Sequence, residues 1–455
     1  MACKNTQENT SAIKKPNIIL ILADDAGYAD FGFMGSKDIL TPNIDALAKD
    51  GLLFNDAHVS ASVCSPSRAG LLTGRYQQRF GHEVNLEPDT RFAFDPSETT
   101  IAEALANHGY YTGIIGKWHL GKEAKQHPLN NGFDYFWGFI SGSRSYFYDE
   151  KELLNPNSNT LMENHKYTKF NGYLTDALGQ KSVEFVEENK TKDKPFFLYL
   201  SYNAPHTPME AKKSVLDKFN GHPRQKLAAM MWSLDEAIGL LTNTLKKEGI
   251  YDNTLIYFLS DNGGAHNNQS SNVPLKGWKG NQYEGGTRVP FVMTWKNKIK
   301  SGETFDGLVS SLDIYKTSLA AAEISYHENK QLDGRNLLHM IASSSTKGHP
   351  DLYWRKDQMA SIRNNDFKLI RLNKEKTVLY NIKENLDENL DLSIQYPDTV
   401  MLLNQKLLEW EKGLLNPLWL EPDDWNEVTE KIYQDLMNNK IPKVKSPSDL
   451  QKINH

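Results

Sequence analysis

The strongest constraint on the fold is a repeated pattern, a short apolar run that ends in polar residues able to carry chemistry. The pattern occurs in four stretches, NIILILADDAG, GYYTGIIGKWHLG, PFFLYLSYNAPHTP and TLIYFLSDNGG. Continuous apolar runs of this length are typical of strands that are buried on both faces, as in parallel sheets. Since parallel strands end at a common edge of their sheet, we expect the four polar clusters to meet there.

Helical patterns lie between these runs and predict an α/β fold. Apolar residues recur at three- and four-residue spacing in IDALAKDGLLF, LTDALGQKSVEFVEEN and KLAAMMWSLDEAIGLLTNTLKKEG. Strands that alternate with helices predict a mixed or doubly wound α/β fold, and we expect a large mixed, mostly parallel sheet sandwiched by helices. After residue 345, MASIRNNDFKLIRL and TVLYNIKENLDENLDL predict short antiparallel strands, and TVMLLNQKLLEWEKGLL predicts a helix.

The length of 455 residues exceeds the size at which one hydrophobic core keeps growing, which favours two domains. We expect a disordered leader over residues 1–15, a catalytic domain over residues 16–345 and a smaller α+β domain over residues 346–455. The formal net charge of −5 provides no overall positive field, so we expect no nucleic-acid partner. No apolar stretch of the sequence is long enough to cross a bilayer.

The first residues, MACKNTQENTSAIKKPN, leave two interpretations open. Cys3 resembles the lipid-bearing cysteine of a trimmed bacterial lipoprotein, which would place the chain in the periplasm or on the outer membrane. The alternative is a polar cytosolic tail with an incidental cysteine. The only other cysteine is Cys64. Its single possible partner, Cys3, lies in a polar tail that we expect to be disordered, so we expect no structural disulfide.

Acidic and amide side chains follow two of the predicted strands. Asp24 and Asp25 end the first run, and Asp261 and Asn262 end the fourth. Adjacent carboxylates repel each other unless a cation lies between them. Carboxylate and amide oxygens suit a hard ion, Ca²⁺ or Mg²⁺, better than Zn²⁺. Either pair alone is also typical of a helix cap or a turn, so both interpretations stand.

The second cysteine lies in SVCSPSRAGLLTGR, a small polar stretch in which a structural thiol is unusual. Ser65 predicts an N-cap and Pro66 suits a first helical turn, so we expect a short helix that ends near Gly74. Its amino end would point at the ligand edge of the sheet. Free N–H groups there, together with Arg68, would make an anion site.

C-S-P-S-R followed by A-G-L-L-T-G-R resembles the signature of the formylglycine-dependent sulfatases of the alkaline phosphatase-like superfamily. The motifs ADD, GKWHLG, APHTP, SDNGG and LKGWKGNQYEGGTRVPF follow the order that this family shows. The resemblance runs from about residue 16 to residue 390 and favours bacterial carbohydrate sulfatases. It implies that Cys64 is oxidised to formylglycine by a formylglycine-generating or anaerobic sulfatase-maturating enzyme. The hydrated aldehyde would then attack the sulfur of a sulfate ester.

The same resemblance implies roles for further residues. The cation, Ca²⁺ rather than Mg²⁺, would be held by Asp24, Asp25, modified Cys64, Asp261 and Asn262. The groups that neutralise the hydrate and the sulfate would be Arg68, Lys117 and Lys279. His119 would assist proton transfer from the hydrate, and His206 would protonate the departing sugar oxygen.

Each assignment has a structural alternative. Lys276 lies close to Lys279 in the sequence, and only the KGWKG spacing favours the latter. A histidine between two prolines, such as His206, is also typical of a turn, and His119 fits a structural position beneath a tryptophan. Arg288 in GGTRVP is interpreted as a residue that braces a turn.

The substrate rim is predicted from arginine and aromatic residues in loops, which suit a sulfated sugar. The candidate rim segments are GFISGSRSYFYDE with Arg144 and Tyr146, the HNNQSSN loop around His266, and the C-terminal NPLWLEPDDW. These observations favour a sulfatase of a bacterial glycan-degrading system. The alternatives are a phosphonate monoester or phosphodiester hydrolase of the same superfamily, and a non-catalytic glycan-binding lipoprotein.

Overall fold

The computed structural model describes residues 15–86, 93–192, 194–326, 330–343, 348–373 and 376–453. Cys3, the predicted lipid-bearing residue, lies outside these ranges. Among the described residues, no helix is long and apolar enough to span a membrane. The strands are β1 (Asn17–Ala23), β2 (Leu52–Phe54), β3 (Ala57–His58), β4 (Tyr111–Lys117), β5 (Tyr135–Phe139), β6 (Met162–Glu163), β7 (Lys166–Tyr167), β8 (Phe196–Ser201), β9 (Thr254–Ser260), β10 (Phe291–Thr294), β11 (Glu303–Phe305), β12 (Val309–Ser310), β13 (Asp351–Lys356), β14 (Met359–Asn364), β15 (Phe367–Leu372) and β16 (Lys376–Asn381).

Helices pack against these strands and connect them. The α-helices are α1 (Pro42–Asp50), α2 (Cys64–Thr73), α3 (Ile101–Ala106), α4 (Leu174–Asn189), α5 (Lys213–Leu216), α6 (Gln225–Lys247), α7 (Glu284–Thr287), α8 (Asp313–Ala321), α9 (Leu337–Ala342), α10 (Pro397–Glu411), α11 (Asp423–Met437) and α12 (Pro447–Ile453). Short 3₁₀ helices lie at Gly32–Met34, Gln77–Phe80, Ala124–Gln126, Pro128–Asn130, Glu150–Leu153, Asp217–Phe219 and Tyr251–Asn253.

The four predicted strands form the centre of a ten-stranded sheet. Its order is β11-β2-β10-β9-β1-β8-β4-β5-β6-β7. Pairing is parallel throughout β9-β1-β8-β4-β5 and antiparallel where β10, β6 and β7 join. Leu20 of β1 lies opposite Tyr257 of β9 and Tyr199 of β8, which fixes the register of the central three strands. The predicted mostly parallel sheet is therefore confirmed.

Both faces of β1 are buried, which explains why its sequence is apolar without alternation. Ile18, Leu20 and Leu22 pack into a core with residues of α2, α3 and α8. Ile19 and Ile21 point to the other face and pack into a core with residues of α1, α4 and α6. A strand between two layers of helices has no face for polar residues, so its polar chemistry is confined to its ends.

The C-terminal part forms the predicted smaller α+β unit. Strands β13-β14-β15-β16 make an antiparallel sheet. Helix α10 packs on one face, where Leu403 and Leu407 join the cluster of Leu369. Helix α11 packs on the other face, where Tyr433 joins a cluster that also contains Tyr283 of the larger unit. Helix α11 therefore lies between the small sheet and the segment that follows β9.

Candidate active site

The carboxyl ends of β9, β1, β8 and β4 place the predicted polar clusters at one edge of the sheet. The backbone ladder continues past the strands, since the N–H of Asp261 donates to the carbonyl of Ala23 at 3.0 Å and that of Asp24 donates to the carbonyl of Ala204 at 3.0 Å. Asp25 and His119 have left-handed backbones, with φ of 64° and 58°. Non-glycine residues in this conformation are uncommon and concentrate at functional sites.

Helix α2 brings Cys64 to this edge. The helix begins at Cys64, with Val63 as its N-cap, and ends at Gly74, whose φ of 65° closes it. The prediction that Ser65 is the N-cap is therefore wrong. Ser65 lies inside the first turn, where its Oγ lies 2.8 Å from His82 Nε2 and donates to the carbonyl of His119 at 2.8 Å. This bond ties the amino end of α2 to the segment after β4.

The Cys64 side chain is buried against two carboxylates. Its Sγ lies 3.5 Å from Asp24 Oδ1 and 3.8 Å from Asp25 Oδ1. Burial, and then the negative charge of Asp261, raise the pKa of the Cys64 thiol. A thiol in this environment holds its proton at neutral pH, so unmodified Cys64 is a poor nucleophile.

Three cationic side chains pair with the three carboxylates. Lys117 Nζ donates to Asp24 Oδ2 at 2.6 Å, and Lys279 Nζ donates to Asp25 Oδ2 at 2.8 Å. Arg68 Nε donates to Asp261 Oδ2 at 2.9 Å, Nη2 lies 2.8 Å from the same oxygen, and Nη1 donates to Ser201 Oγ and to the carbonyl of Lys117.

The formal charges of these three pairs cancel. Burial raises the pKa of Asp25, but the positive charge of Lys279, and that of His206 when its ring is protonated, outweigh burial and hold this pKa below the usual range. Burial and the neighbouring Asp24 raise the pKa of Asp261 to about 6. A protein-only site of this composition has no net charge with which to attract an anion.

The site also offers ligand atoms for a cation. The ligand atoms of Asp24, Asp25, Cys64 and His206 lie within 4.8 Å of one another. Asn262 donates through Nδ2 to Asp25 Oδ1 at 2.8 Å, while its Oδ1 is buried without a hydrogen-bond partner among the described residues. Buried amide oxygens are normally paired, so this atom is free to bind a cation. Oxygen donors of this kind fit Ca²⁺ or Mg²⁺.

Two histidines flank the cluster. His206 Nδ1 donates to the carbonyl of Thr207 at 2.7 Å, and Nε2 lies 3.6 Å from Asp25 Oδ2. Burial lowers the pKa of His206 to about 4, although Asp25 acts in the opposite direction. Burial, and then the charges of Lys117 and Arg68, hold the pKa of His119 well below its usual range. Both rings are therefore neutral near pH 7 when the site holds no anion.

A cleft of about 490 Å³ opens over Cys64. His119 and His206 line it, together with Gly121 of GKWHLG and with Ile140, Ser141, Gly142 and Ser143 of the predicted rim segment GFISGSRSYFYDE. The lining residues that the sequence did not indicate are Asn85, Leu86, Lys122, Ser158 and Asn159. Lys122 directly follows the GKWHLG motif, and this proximity was an available signal. Asn85 and Asn159 lie in loops without a recognisable pattern.

Two predicted rim residues lie elsewhere. Arg144 is buried, and its guanidinium donates to both carboxylate oxygens of Glu152. Tyr146 is buried, and its hydroxyl contacts the carbonyls of Asn203 and His206 at 2.6 Å and 2.8 Å. The prediction that these two side chains face the substrate is wrong, because both brace the loops that carry the cleft. His266 is exposed and lines a second cleft beside the first.

The family model "Sulfatase" matches residues 16–324, and "N-sulphoglucosamine sulphohydrolase, C-terminal" matches residues 277–412. The chain belongs to the sulfatase family. The sulfatase is 34% identical over 395 residues to the uncharacterized sulfatase YdeN of Escherichia coli strain K12, covering 75% of this chain and 68% of that protein. It is 33% identical over 376 residues to N-acetylgalactosamine-6-sulfatase of Homo sapiens, covering 77% of this chain and 70% of that one.

Solved structures agree with this assignment. The crystal structure of Ps i-CgsB in complex with k-i-k-neocarrahexaose is 38% identical, with a TM-score of 0.86 over 91% of this chain and 96% of that chain. The phosphonate monoester hydrolase of Agrobacterium radiobacter is 19% identical, with a TM-score of 0.63 over 88% of this chain and 96% of that one, and shares the fold. Since the chain belongs to the sulfatase family, it is a sulfuric ester hydrolase.

Proposed function

We propose that this sulfatase hydrolyses a sulfate ester on a carbohydrate, with formylglycine made from Cys64 as the nucleophilic group. The observation that carries the proposal is a cluster at the base of an open cleft. In this cluster Cys64 lies beside three carboxylates and three cationic side chains. Two relatives support a sugar substrate, since one is an N-acetylgalactosamine-6-sulfatase and another binds a neocarrahexaose. The net reaction adds water to the ester and releases an alcohol and sulfate.

The low nucleophilicity of the unmodified Cys64 thiol supports the proposal that this residue is converted to formylglycine. Its raised pKa disfavours the thiolate, and Cys64 is 1% exposed, so a maturating enzyme would need access before folding is complete. When formed, formylglycine would supply the two hydroxyls of its hydrate, one to attack sulfur with release of the sugar alcohol, and one whose deprotonation would expel sulfate and re-form the aldehyde. Neither cysteine nor serine carries the second hydroxyl.

Asp24, Asp25, Asp261 and Asn262 would hold a divalent cation, and Ca²⁺ is the ion that we propose. The unpartnered Oδ1 of Asn262 and the balanced charges of the three ion pairs support this assignment. When bound, the cation supplies Lewis acidity and the excess positive charge that an incoming sulfate ester requires.

The cationic residues have different positions and therefore different roles. Lys279 is partly exposed and lies between Asp25 and solvent, so we assign it to the sulfate oxygens. Lys117 is buried against Asp24, where it neutralises the nucleophile. Arg68 is fully enclosed by Asp261, Ser201 and the carbonyl of Lys117, which suits holding a metal ligand rather than contacting sulfate.

The histidines would move protons. Neutral His119 is able to accept a proton from the nucleophile. His206 lines the cleft next to Cys64, with Nε2 free of any donor role when the ring is neutral. An anion in the cleft favours the protonated ring, and protonated Nε2 would then donate to the leaving oxygen of the sugar.

The deciding experiment is sulfate release from a panel of defined sulfated mono- and disaccharides. The protein is first shown by mass spectrometry to carry the aldehyde at residue 64, and Cys64→Ala is the control. We expect release by the matured protein and none by the control. A faster rate on phosphonate monoesters than on every sulfate ester would overturn the proposal. Glycan binding without any turnover by matured protein would do so as well.

A further inference from the structure

A second cleft, of about 290 Å³, adjoins the first and shares Lys279 with the proposed sulfate site. One wall comes from the segment after β9, including His266, Trp278 and Lys279. The other wall comes from the C-terminal unit, including Trp425 of α11 and Lys445. The volume is near the lower end of the range for ligand pockets, about 300 to 1,000 Å³, which suits one sugar unit.

The two clefts meet at the catalytic cluster. Asn85 lines both, while Cys64 lines the first and its neighbour Val63 lines the second. His206 of the first cleft and Lys279 of the second approach the same carboxylate, that of Asp25, at 3.6 Å and 2.8 Å. A ligand in one cleft therefore lies close to a ligand in the other.

The order of the strands places the clefts on opposite sides of β1. Residues that follow β4, β5 and β8 form the first cleft, and the segment that follows β9 forms one wall of the second. In the sheet, β1 lies between β9 and β8. A linear molecule that occupies both clefts would thus extend in two directions from the nucleophile.

The second cleft has the chemistry of a site for an anionic sugar. Trp425 lies in the first turn of α11 and is 39% exposed, whereas Val428 and Ile432 bury the inner face of that helix. Its indole is available for stacking on a pyranose face. Lys445 Nζ lies 5.3 Å from the centre of the Trp278 ring, and no carboxylate of a described residue lies within ion-pair distance of it.

We propose that this cleft binds a sugar next to the sulfated one, so that the enzyme removes sulfate from an internal unit of a glycan chain. Trp425 stacks on the ring of that sugar, and Lys445 pairs with an anionic substituent on it. The inference rests on the proposed function, because it takes the first cleft to hold the scissile sulfate ester.

The test measures binding and turnover separately. The probes are sulfated hexasaccharides and disaccharides derived from carrageenan and from glycosaminoglycans. In the Cys64→Ala background, which binds without turnover, Trp425→Ala and Lys445→Gln should each weaken hexasaccharide binding about tenfold, and disaccharide binding much less. The matched controls are Tyr396→Ala, also 39% exposed but on the opposite side of the small sheet, and Lys443→Gln, a neighbouring exposed lysine.

In the matured enzyme, the same two substitutions should raise KM for the hexasaccharide with little change in kcat, and mass spectrometry should locate the lost sulfate on an internal sugar. Equal losses on both probe lengths, or loss of sulfate only from the chain end, would overturn the inference. Release from disaccharides without a preference for hexasaccharides would overturn it and retain the proposed function. If matured protein releases sulfate from none of the probes, the proposed function itself is contradicted.

Discussion

Asn262 is the residue at which the metal proposal is tested with least disturbance. Its side chain carries no charge, so Asn262→Ala removes one oxygen donor without leaving an unpaired buried charge. We expect the affinity of the protein for calcium to fall about tenfold or more, with a parallel loss of kcat. Metal content is measured by mass spectrometry after dialysis at graded calcium concentrations. Asn189→Ala, at a buried asparagine at the end of α4, is the control.

Unchanged calcium content and activity in Asn262→Ala, at a melting temperature equal to that of the wild type, would contradict the assignment of this residue as a ligand. A loss that appears equally in Asn189→Ala would have the same meaning, because it would trace the effect to general destabilisation.

The contribution of His206 to kcat should increase with the basicity of the departing oxygen. A sugar alcohol needs a proton as its bond to sulfur breaks, whereas a nitrophenolate leaves without one. We expect His206→Gln to lower kcat about a hundredfold or more on a sugar sulfate and less than about tenfold on 4-nitrophenyl sulfate. Equal losses on the two esters would show that the residue positions the substrate and does not donate a proton.

Gly74 shows how the local conformation of α2 depends on one glycine. It ends the helix with a φ of 65°, and an added Cβ would lie 2.6 Å from Tyr315 Cβ. Gly74→Ala therefore meets both backbone strain, about 1 to 2 kcal/mol, and overpacking, about 1 to 3 kcal/mol. Gly109 has a φ of 90°, but among the described residues, apart from its chain neighbours, no atom lies within 4 Å of its Cβ position, so Gly109→Ala meets only the strain.

Chemical denaturation compares the two glycine variants. We expect Gly74→Ala to lose more stability than Gly109→Ala, and to lose activity as well, because a displaced α2 moves Cys64. Equal stability losses would show that the contact with Tyr315 relaxes at no cost.

The central strands and the residues at their ends were predictable from sequence. A strand buried on both faces must be apolar throughout, so the change to polar residues at Asp24 or Asp261 marks both its end and its ligand edge. The rim could not be predicted in the same way. An arginine in a loop looks the same in the sequence whether its side chain faces a substrate or pairs with a nearby carboxylate, as Arg144 does with Glu152. The start of α2 was misplaced because Ser65 does not cap the backbone of its own helix; its hydroxyl instead contacts His82 and the carbonyl of His119.

The two units of the molecule are joined by a buried group of charges. Lys368 of β15 donates to Glu284 of α7 at 2.8 Å, and Glu388 lies farther from it, at 3.8 Å. Burial opposes the charge of Glu284, but Lys368 and His58 hold its pKa at about 2. Burial raises the pKa of Glu388 to about 8; Lys368 acts in the opposite direction, and the negative charge of Glu284 adds to the increase. Glu388 is therefore protonated in the folded protein at neutral pH.

This junction predicts a loss of stability as the pH rises. In the unfolded chain Glu388 titrates near its ordinary value of 4.5, so between pH 4.5 and about 8 the folded state holds a proton that the unfolded state has released. The contribution of the Glu388 proton to the free energy of unfolding is complete below pH 4.5 and declines between pH 4.5 and about pH 8. Glu388→Gln removes this decline, and we expect wild type to lose at least about 1 kcal/mol more than the variant between pH 5 and pH 8. Urea denaturation at several pH values measures the difference, with the exposed Glu409→Gln as control. Parallel profiles for wild type and Glu388→Gln would mean that Glu388 is ionised in the folded protein, with Lys368 shared between the two carboxylates.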